Sequence, residues 1–497
     1  MNNRPIKRYV IAGGGTAGWM AAAMLAKIMG EEIDLTLIES DAIGTIGVGE
    51  ATIPPLLRFN RFLGVNEAEF MRETRATFKL GINFENWKNI GEDYFHSFGS
   101  AGKDHWTSGF QHFWLSGQKR GIASGYEDYC LEVVSAFQNK FAQLPDNGLN
   151  YAYHLDSSAY AKFLRKIAEE NGAVRKEGLI EDVKLRNDSG HITSLKLNSG
   201  ETIEGDFFFD CTGFRSILMG KALDIGYDDW SDLLPCDSAI AVQTKSVIPA
   251  PPYTRAIAHD AGWQWRIPLQ HRTGNGLIYC SQYLDKDAAL QRFLGNIEGE
   301  MITEPNFIRF KTGARQKQWE KNCVTLGLSS GFMEPLESTS IHLIQRSVMR
   351  FIRMMPTAEI CLNDVAEFNE QTFEDMDKIR DFLIMHYYVT DRRDSEFWKY
   401  CASMDVPEAV RQKIDLFTET ARVFRKNDEL FAENSWIQCM MGQGITPKSY
   451  HPIADKMTDK ELEYFLGQIK KSIAQTASKL PPHEDYVNRY CGMQETG

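Results

Sequence analysis

The sequence predicts an α/β protein with a mainly helical C-terminal region, and three observations carry that prediction. A glycine-rich turn, Gly13-Gly14-Gly15-Thr16-Ala17-Gly18, joins a short apolar run, Tyr9–Ala12, to an Ala- and Met-rich run, Ala17–Met29. A second apolar run, Leu35–Glu39, ends in an acid. Beyond about residue 340, apolar residues recur at helical spacing, as in Val365–His386 and Ala409–Phe424.

The first forty residues read as strand, turn, helix, strand. In that order Gly13 permits the sharp turn, Gly15 lets the backbone approach a pyrophosphate, and Gly18 lets helix and strand pack closely. Thr16 and Ala17 open the helix, whose free N–H groups and positive dipole end suit phosphates. Glu39 stands where a carboxylate accepts ribose hydroxyls. This is a Rossmann-like dinucleotide site. A Gly- and Pro-punctuated loop at 41–56 precedes a helix expected over roughly 66–80. From 84 to 150 the pattern is irregular and aromatic-rich, and strand-like runs return at 180–210, 238–245, 263–268 and 276–282. The run Gly205–Gly213 is a buried strand entering Thr-Gly, similar to the second nucleotide-side strand of FAD proteins of the aromatic hydroxylase type. Only one glycine fingerprint occurs, which favours FAD over NAD, with the flavin reduced elsewhere. The expected organisation is a FAD-binding module over 1–350, into which 84–150 inserts toward the substrate, and a helical substrate-side region over 351–497.

Composition narrows the class. Lys and Arg number 55 against 67 Asp and Glu, a net charge of −12, with no long basic run. Nucleic acid and anionic membranes are therefore poor partners. Nine scattered cysteines without a C-x-x-C pair read as free thiols of a reducing compartment. Arg4, Lys7 and Arg8 before Tyr9–Met29 imitate a secretory signal, but four glycines interrupt that stretch. A cytoplasmic protein that binds no metal is expected, and a homodimer is left open.

Four further segments together resemble the flavin-dependent tryptophan halogenase family. They are Gly47-Val48-Gly49-Glu50-Ala51-Thr52-Ile53-Pro54, Phe78-Lys79-Leu80-Gly81, Gly262-Trp263-Gln264-Trp265-Arg266-Ile267-Pro268 with its W-x-W-x-I-P pattern, and Phe332–Ile341. Each has an ordinary reading of its own: alternating core tryptophans in a half-buried strand, a solvated lysine at a helix end, and a Glu337 that caps a helix beginning near Ser338. The resemblance implies that reduced FAD, oxygen and halide give hypohalous acid, and that a separate flavin reductase supplies the reduced flavin. It implies catalytic roles for Lys79 and Glu337 and a halide site at the backbone N–H groups of Thr339 and Ser340. Trp263 and Trp265 would wall the flavin from the substrate. Val48, Glu50, Ala51, Val183, Leu328 and Ile341 would join Gly13, Gly15, Thr16, Ala17, Gly18 and Glu39 around FAD. Lys79 would act either as an amine that forms a haloamine or as an ammonium that polarises hypohalous acid. Glu337 would accept the ring proton.

Tyr94-Phe95-His96-Ser97-Phe98-Gly99 resembles the family segment that lines an indole pocket, which makes His96 and Phe98 substrate residues, with Trp436 as a stacking partner. Two departures stand out. No tyrosine pair precedes Leu430–Cys439, and Glu433 is there either a remnant of the amino-acid clamp or a surface charge. Indole or an indole derivative thus fits better than free tryptophan. Ser340 occupies a position where the family usually has glycine, which favours bromide over chloride. A flavin-dependent aromatic monooxygenase or a non-catalytic FAD protein would share the fold, but neither needs Lys79 or the tryptophan motif.

Overall fold

In this computed structural model residues 5–43, 49–145, 148–247 and 249–491 are described. The chain sorts into two compact units, one of residues 1–76, 155–237 and 309–377, the other of 77–154, 238–308 and 378–497. The boundary expected at 350 falls inside the helix Ser340–Arg353, and the chain enters each unit three times.

The first unit is built on a six-stranded sheet. From one edge its strands run Trp319–Glu320, Cys323–Thr325, Phe207–Asp210, Arg8–Ala12, Asp34–Glu39 and Val174–Glu177. All pair in parallel except the first edge strand. The central strands are near-continuous apolar runs because both faces are covered. In register, Ala12 lies beside Asp210 and Ile38, and Asp210 beside Thr325, so the turns after these strands leave the sheet at one level. The helix Thr16–Met29 packs against Ser157–Glu170, whose N-terminus is capped by the Asp156 carboxylate accepting from Ala159 N at 3.0 Å.

The second unit holds a seven-stranded sheet in the order Asn306–Arg309, Ser238–Thr244, Thr273–Tyr279, Gly262–Pro268, Thr254–His259, Gly81–Glu85 and Asp93–Ser97. The pairing of Thr254–His259 with Gly81–Glu85 is parallel. Beside it the ribbon Thr77–Lys79 runs antiparallel to the strand that starts at Ala152. The helix expected to reach residue 80 stops much earlier. The structure has Glu67–Glu73, a left-handed Arg75 at φ 56°, and then the strand that carries Lys79. Phe78 explains the override, since its ring stacks on Phe141 at 4.0 Å, a contact an exposed helix would forfeit. Helices include Phe110–Lys119, Glu408–Thr420, Glu433–Gly442 and Asp459–Lys479, the last begun by a reciprocal Thr458–Glu461 capping box. Val365–His386 lies within the longer helix Leu362–Tyr388. All nine cysteines are free thiols, and no helix among the described residues is long and apolar enough to cross a membrane.

Two buried histidines of this unit make it acid-sensitive. Burial pushes His112 and His483 down to about 4, and in His112 the charges of His451 and Arg422 add to burial. Between pH 6.5 and 4 the unfolded chain therefore takes up protons that the native state refuses. This stability is complete above about pH 6.5 and drains away as the pH falls, on the order of 3 kcal/mol per histidine. The urea midpoint is expected to drop across that window and to drop less steeply in His483→Gln. An equal slope in the variant would show that His483 contributes nothing.

Candidate active site

In the first unit the glycine turn is shaped as a cradle. A Cβ on Gly13 would meet Cys211 O at 2.2 Å, one on Gly18 would meet Gly13 O at 1.9 Å, and one on Gly14 would strike the Glu39 carboxylate. A Cβ on Gly15 would meet nothing within 4 Å, so the turn is packed on every side except the one Gly15 faces. Gly15 is also the N-cap of Thr16–Met29 and offers no side-chain cap, leaving the first N–H groups, those of Thr16 and Ala17, for a ligand. These residues fit a dinucleotide pyrophosphate. The Glu39 carboxylate is held by Trp19 Nε1 at 3.1 Å and Arg175 Nε at 2.5 Å.

The segments that carry the other expected cofactor residues lie in the same unit. Gly327 takes φ 65°, and its Cβ would press on Ala17 at 2.8 Å and lie 3.7 Å from Ile344. The turn bearing Leu328 thus sits between the start of the first helix and the helix that contains Ile341. Gln345 Nε2 of that helix donates to Pro55 O at 3.1 Å, tying in the segment after Glu50 and Ala51. Burial lifts the Glu50 carboxyl to about 7. Val183 packs on the core formed by Val10, Ala12 and Ile38. Val48 lies outside the described residues.

Asp210 was not singled out by the sequence reading. This fully buried carboxylate accepts from Thr212 N and Oγ1, Leu218 N, Met219 N and Ser216 Oγ, and so fixes the turn against Gly13. An acid directly after three phenylalanines was the available signal. Its neighbour Ser216 accepts a left-handed φ of 38°.

Glu337 is 1 % exposed and closes the 3-10 turn Pro335–Glu337. Ser338 follows at φ 59°, a conformation that costs a side-chain-bearing residue about 1 kcal/mol or more. The helix then begins at Ser340 with Thr339 as N-cap. Glu337 stands ahead of that N-cap, not at it. The N–H groups of Ser340 and Ile341 belong to the first turn of that helix, an anion-favouring end.

In the second unit Lys79 is completely buried at the end of its strand, with Nζ 5.2 Å from the centroid of the half-buried Phe98 ring. Phe98 N donates to Leu80 O, which holds the two residues together. His96, 4 % exposed, faces Phe382 at 5.6 Å and Phe431 at 6.1 Å. Trp436 meets the same Phe382 edge-on at 5.1 Å, so the structure brings His96 and Trp436 to one aromatic cluster. Phe382 and Phe431, stacked at 3.9 Å, were missed because Phe382 lies on the helix Leu362–Tyr388 and Phe431 in the segment before Glu433–Gly442, far apart in sequence. Lys413 Nζ lies 4.5 Å over Trp436 and is paired with Glu429 at 2.5 Å. One face of that indole is therefore already covered. Glu433 is no loose surface charge, since its carboxylate accepts from Arg425 N at 2.8 Å.

Trp263 and Trp265 project from one face of their strand with centroids 6.1 Å apart. The strand is buried at all seven positions, Gln264 and Arg266 included, and is not the half-buried strand that alternation suggests. Trp265 lies across Gly276, where a Cβ would penetrate its ring, and Trp263 packs at 6.4 Å from Trp87.

A mainly parallel sheet with a glycine cradle and an acid at the second strand end defines a dinucleotide-binding α/β protein. The profile of the family described as tryptophan halogenase matches residues 8–459. The chain is 33 % identical to tryptophan 7-halogenase RebH of Lentzea aerocolonigenes, covering 98 % of this chain and 99 % of that protein. Among solved structures it resembles Xcc4156, a flavin-dependent halogenase from Xanthomonas campestris, at 53 % identity and a TM-score of 0.98, covering 99 % of this chain and 100 % of the other. It also resembles BrvH, a flavin-dependent halogenase from Brevundimonas sp. BAL3, at 39 % identity and a TM-score of 0.94, covering 98 % and 100 %. The chain belongs to the tryptophan halogenase family and is a flavin-dependent halogenase.

Proposed function

We propose that this enzyme transfers halogen to an electron-rich aromatic ring, indole or an indole derivative, with bromide preferred over chloride. The observation that carries the reading is Lys79. A strongly hydrated ammonium is costly to bury, and Lys79 is nonetheless fully buried beside the Phe98 ring, within the motif that the family resemblance makes catalytic. FAD would be held by Gly13, Gly15, Thr16, Ala17, Gly18 and Glu39, with Glu50, Ala51, Val183, Leu328 and Ile341 around it. When bound and reduced by a separate reductase, FAD supplies, with oxygen, the oxidising power that turns halide into hypohalous acid.

The chain's own residues do the rest. The N–H groups of Thr339 and Ser340 hold halide, and Trp263 and Trp265 wall the flavin from the substrate. Lys79 receives the oxidant and hydrogen-bonds or carries its halogen to the ring. His96, Phe98 and Trp436 orient that ring. A ring C–H becomes C–X, Glu337 takes the released proton, and the oxygen of hypohalous acid leaves as water.

Two features support the specificity. Lys413 and Glu429 pair with each other beside Trp436 rather than offering either charge to an amino-acid group, which is costly to desolvate alone. Ser340 puts a hydroxymethyl group where the halide N–H groups emerge, and a less ordered site loses the harder-to-oxidise chloride first. Purified enzyme with a flavin reductase, FAD, NADH and oxygen is expected to give more bromo- than chloroindole from equal halides, and to turn over indole faster than tryptophan. Hydroxyindole would instead identify a monooxygenase. An unchanged bromide-to-chloride ratio in Ser340→Gly would defeat the halide argument alone.

A further inference from the structure

We propose that His154 is a positioning residue for Lys79, locking its strand to the end of the Gly262–Pro268 strand through a neutral imidazole of fixed tautomer. This rests on the reading of Lys79 as the residue that directs the oxidant.

The geometry lies wholly within the second unit. Thr77 pairs directly with His154 and Lys79 with Ala152, so Thr77, Lys79, Ala152 and His154 share one face of the ribbon. Thr77 Oγ1 donates to Pro268 O at 2.7 Å. Its proton is thereby committed, so at 3.1 Å it accepts from His154 Nδ1–H. His154 Nε2 then accepts from Thr254 Oγ1–H at 2.9 Å. Every donor in the chain Thr254, His154, Thr77, Pro268 points the same way, and reversing one bond would leave a buried polar group unpaired. His154, Thr77 and Lys79 are each no more than 1 % exposed, and Thr254 is 6 % exposed.

The relay therefore joins three segments: the strand of Lys79, the start of Thr254–His259 and the last residue of the tryptophan-bearing strand. Its imidazole is held neutral by burial first, then by the Lys79 charge and by His483. A neutral group is the suitable clamp here, because it donates and accepts without placing a second cation diagonal to Lys79. The neighbouring Phe78 N–H donates to His483 Nε2 at 3.2 Å, so the two residues that precede the lysine are each held by a histidine.

The test uses the complete enzyme with a flavin reductase. It measures product kcat and KM for indole, and oxidant that escapes into solution, trapped by a readily halogenated β-diketone. His154→Leu is expected to lower kcat about tenfold with KM within about twofold and to raise escape, the pattern of a displaced group rather than lost binding. His154→Gln should recover much of the rate, since its amide can donate to Thr77 and accept from Thr254. Wild-type kcat and escape in a folded His154→Leu would overturn the proposal, as would a Gln variant no better than Leu. Should the Leu variant fail to fold, Thr254→Val carries the test, with a fall in kcat at constant KM expected and wild-type behaviour overturning it. In a Lys79→Met background, adding His154→Leu should leave escape unchanged, and a further additive change would count against the coupling. Halogenation surviving in Lys79→Ala would instead overturn the reading of Lys79 itself, a distinct result.

Discussion

Lys79→Ala is expected to abolish product halogenation, a loss of about a hundredfold or more on the scale of a removed positioned acid, base or electrophile. FAD binding and oxygen-dependent oxidation of reduced flavin should persist, because Lys79 belongs to none of the segments that form the glycine cradle. Stability is the discriminating readout. Lys79→Met, which keeps the stem and removes the charge at this fully buried position, is the variant in which to read it. An inactive variant with unimpaired thermal unfolding separates chemistry from architecture. Product formation above a few per cent of native would remove Lys79 from the mechanism.

Glu337→Gln is expected to cost on the order of a hundredfold in turnover with little change in FAD affinity. The substitution keeps volume and one acceptor while deleting the charge that would take the ring proton. Glu337 precedes a left-handed Ser338 and stands ahead of the N-cap Thr339, so its loss should not unravel the helix Ser340–Arg353. Thermal unfolding with the native midpoint and a depressed rate across all pH values would fit the proton-acceptor role. A collapsed midpoint with normal turnover in the folded fraction would assign Glu337 to structure.

Much of this was legible in residue order because local rules set it. The turn Gly13–Gly18 reads as a cradle since only glycine tolerates backbone carbonyls within 2.2 Å of the Cβ position, as Gly13 and Gly18 do here. The strands Arg8–Ala12 and Phe207–Asp210 are legible as apolar runs because parallel strands are covered on both faces. Lys79 was legible as a candidate site residue only through its motif neighbours, and its local structure was misjudged. The 66–80 region carries helical periodicity up to Glu73, and the strand beyond it exists because Phe78 is enclosed by Phe141, Tyr151 and Tyr486 from remote segments.

What the sequence by itself determined is the chemistry available: a dinucleotide turn with its acid, a lysine and a glutamate in family motifs, and aromatic residues to receive a ring. Those depend on residue identity at short spacing, which backbone sterics and hydrogen-bond valence translate directly into local shape. Only the tertiary structure decided which groups are buried and what they touch. Asp210 became the organiser of a turn by collecting five donors, Trp436 acquired Lys413 over its face, and His154 gained two threonines from two other strands. Burial and long-range pairing depend on the whole chain closing around a residue. The same histidine in a solvated loop would titrate freely, and here it is held neutral because desolvation makes its charged form costly.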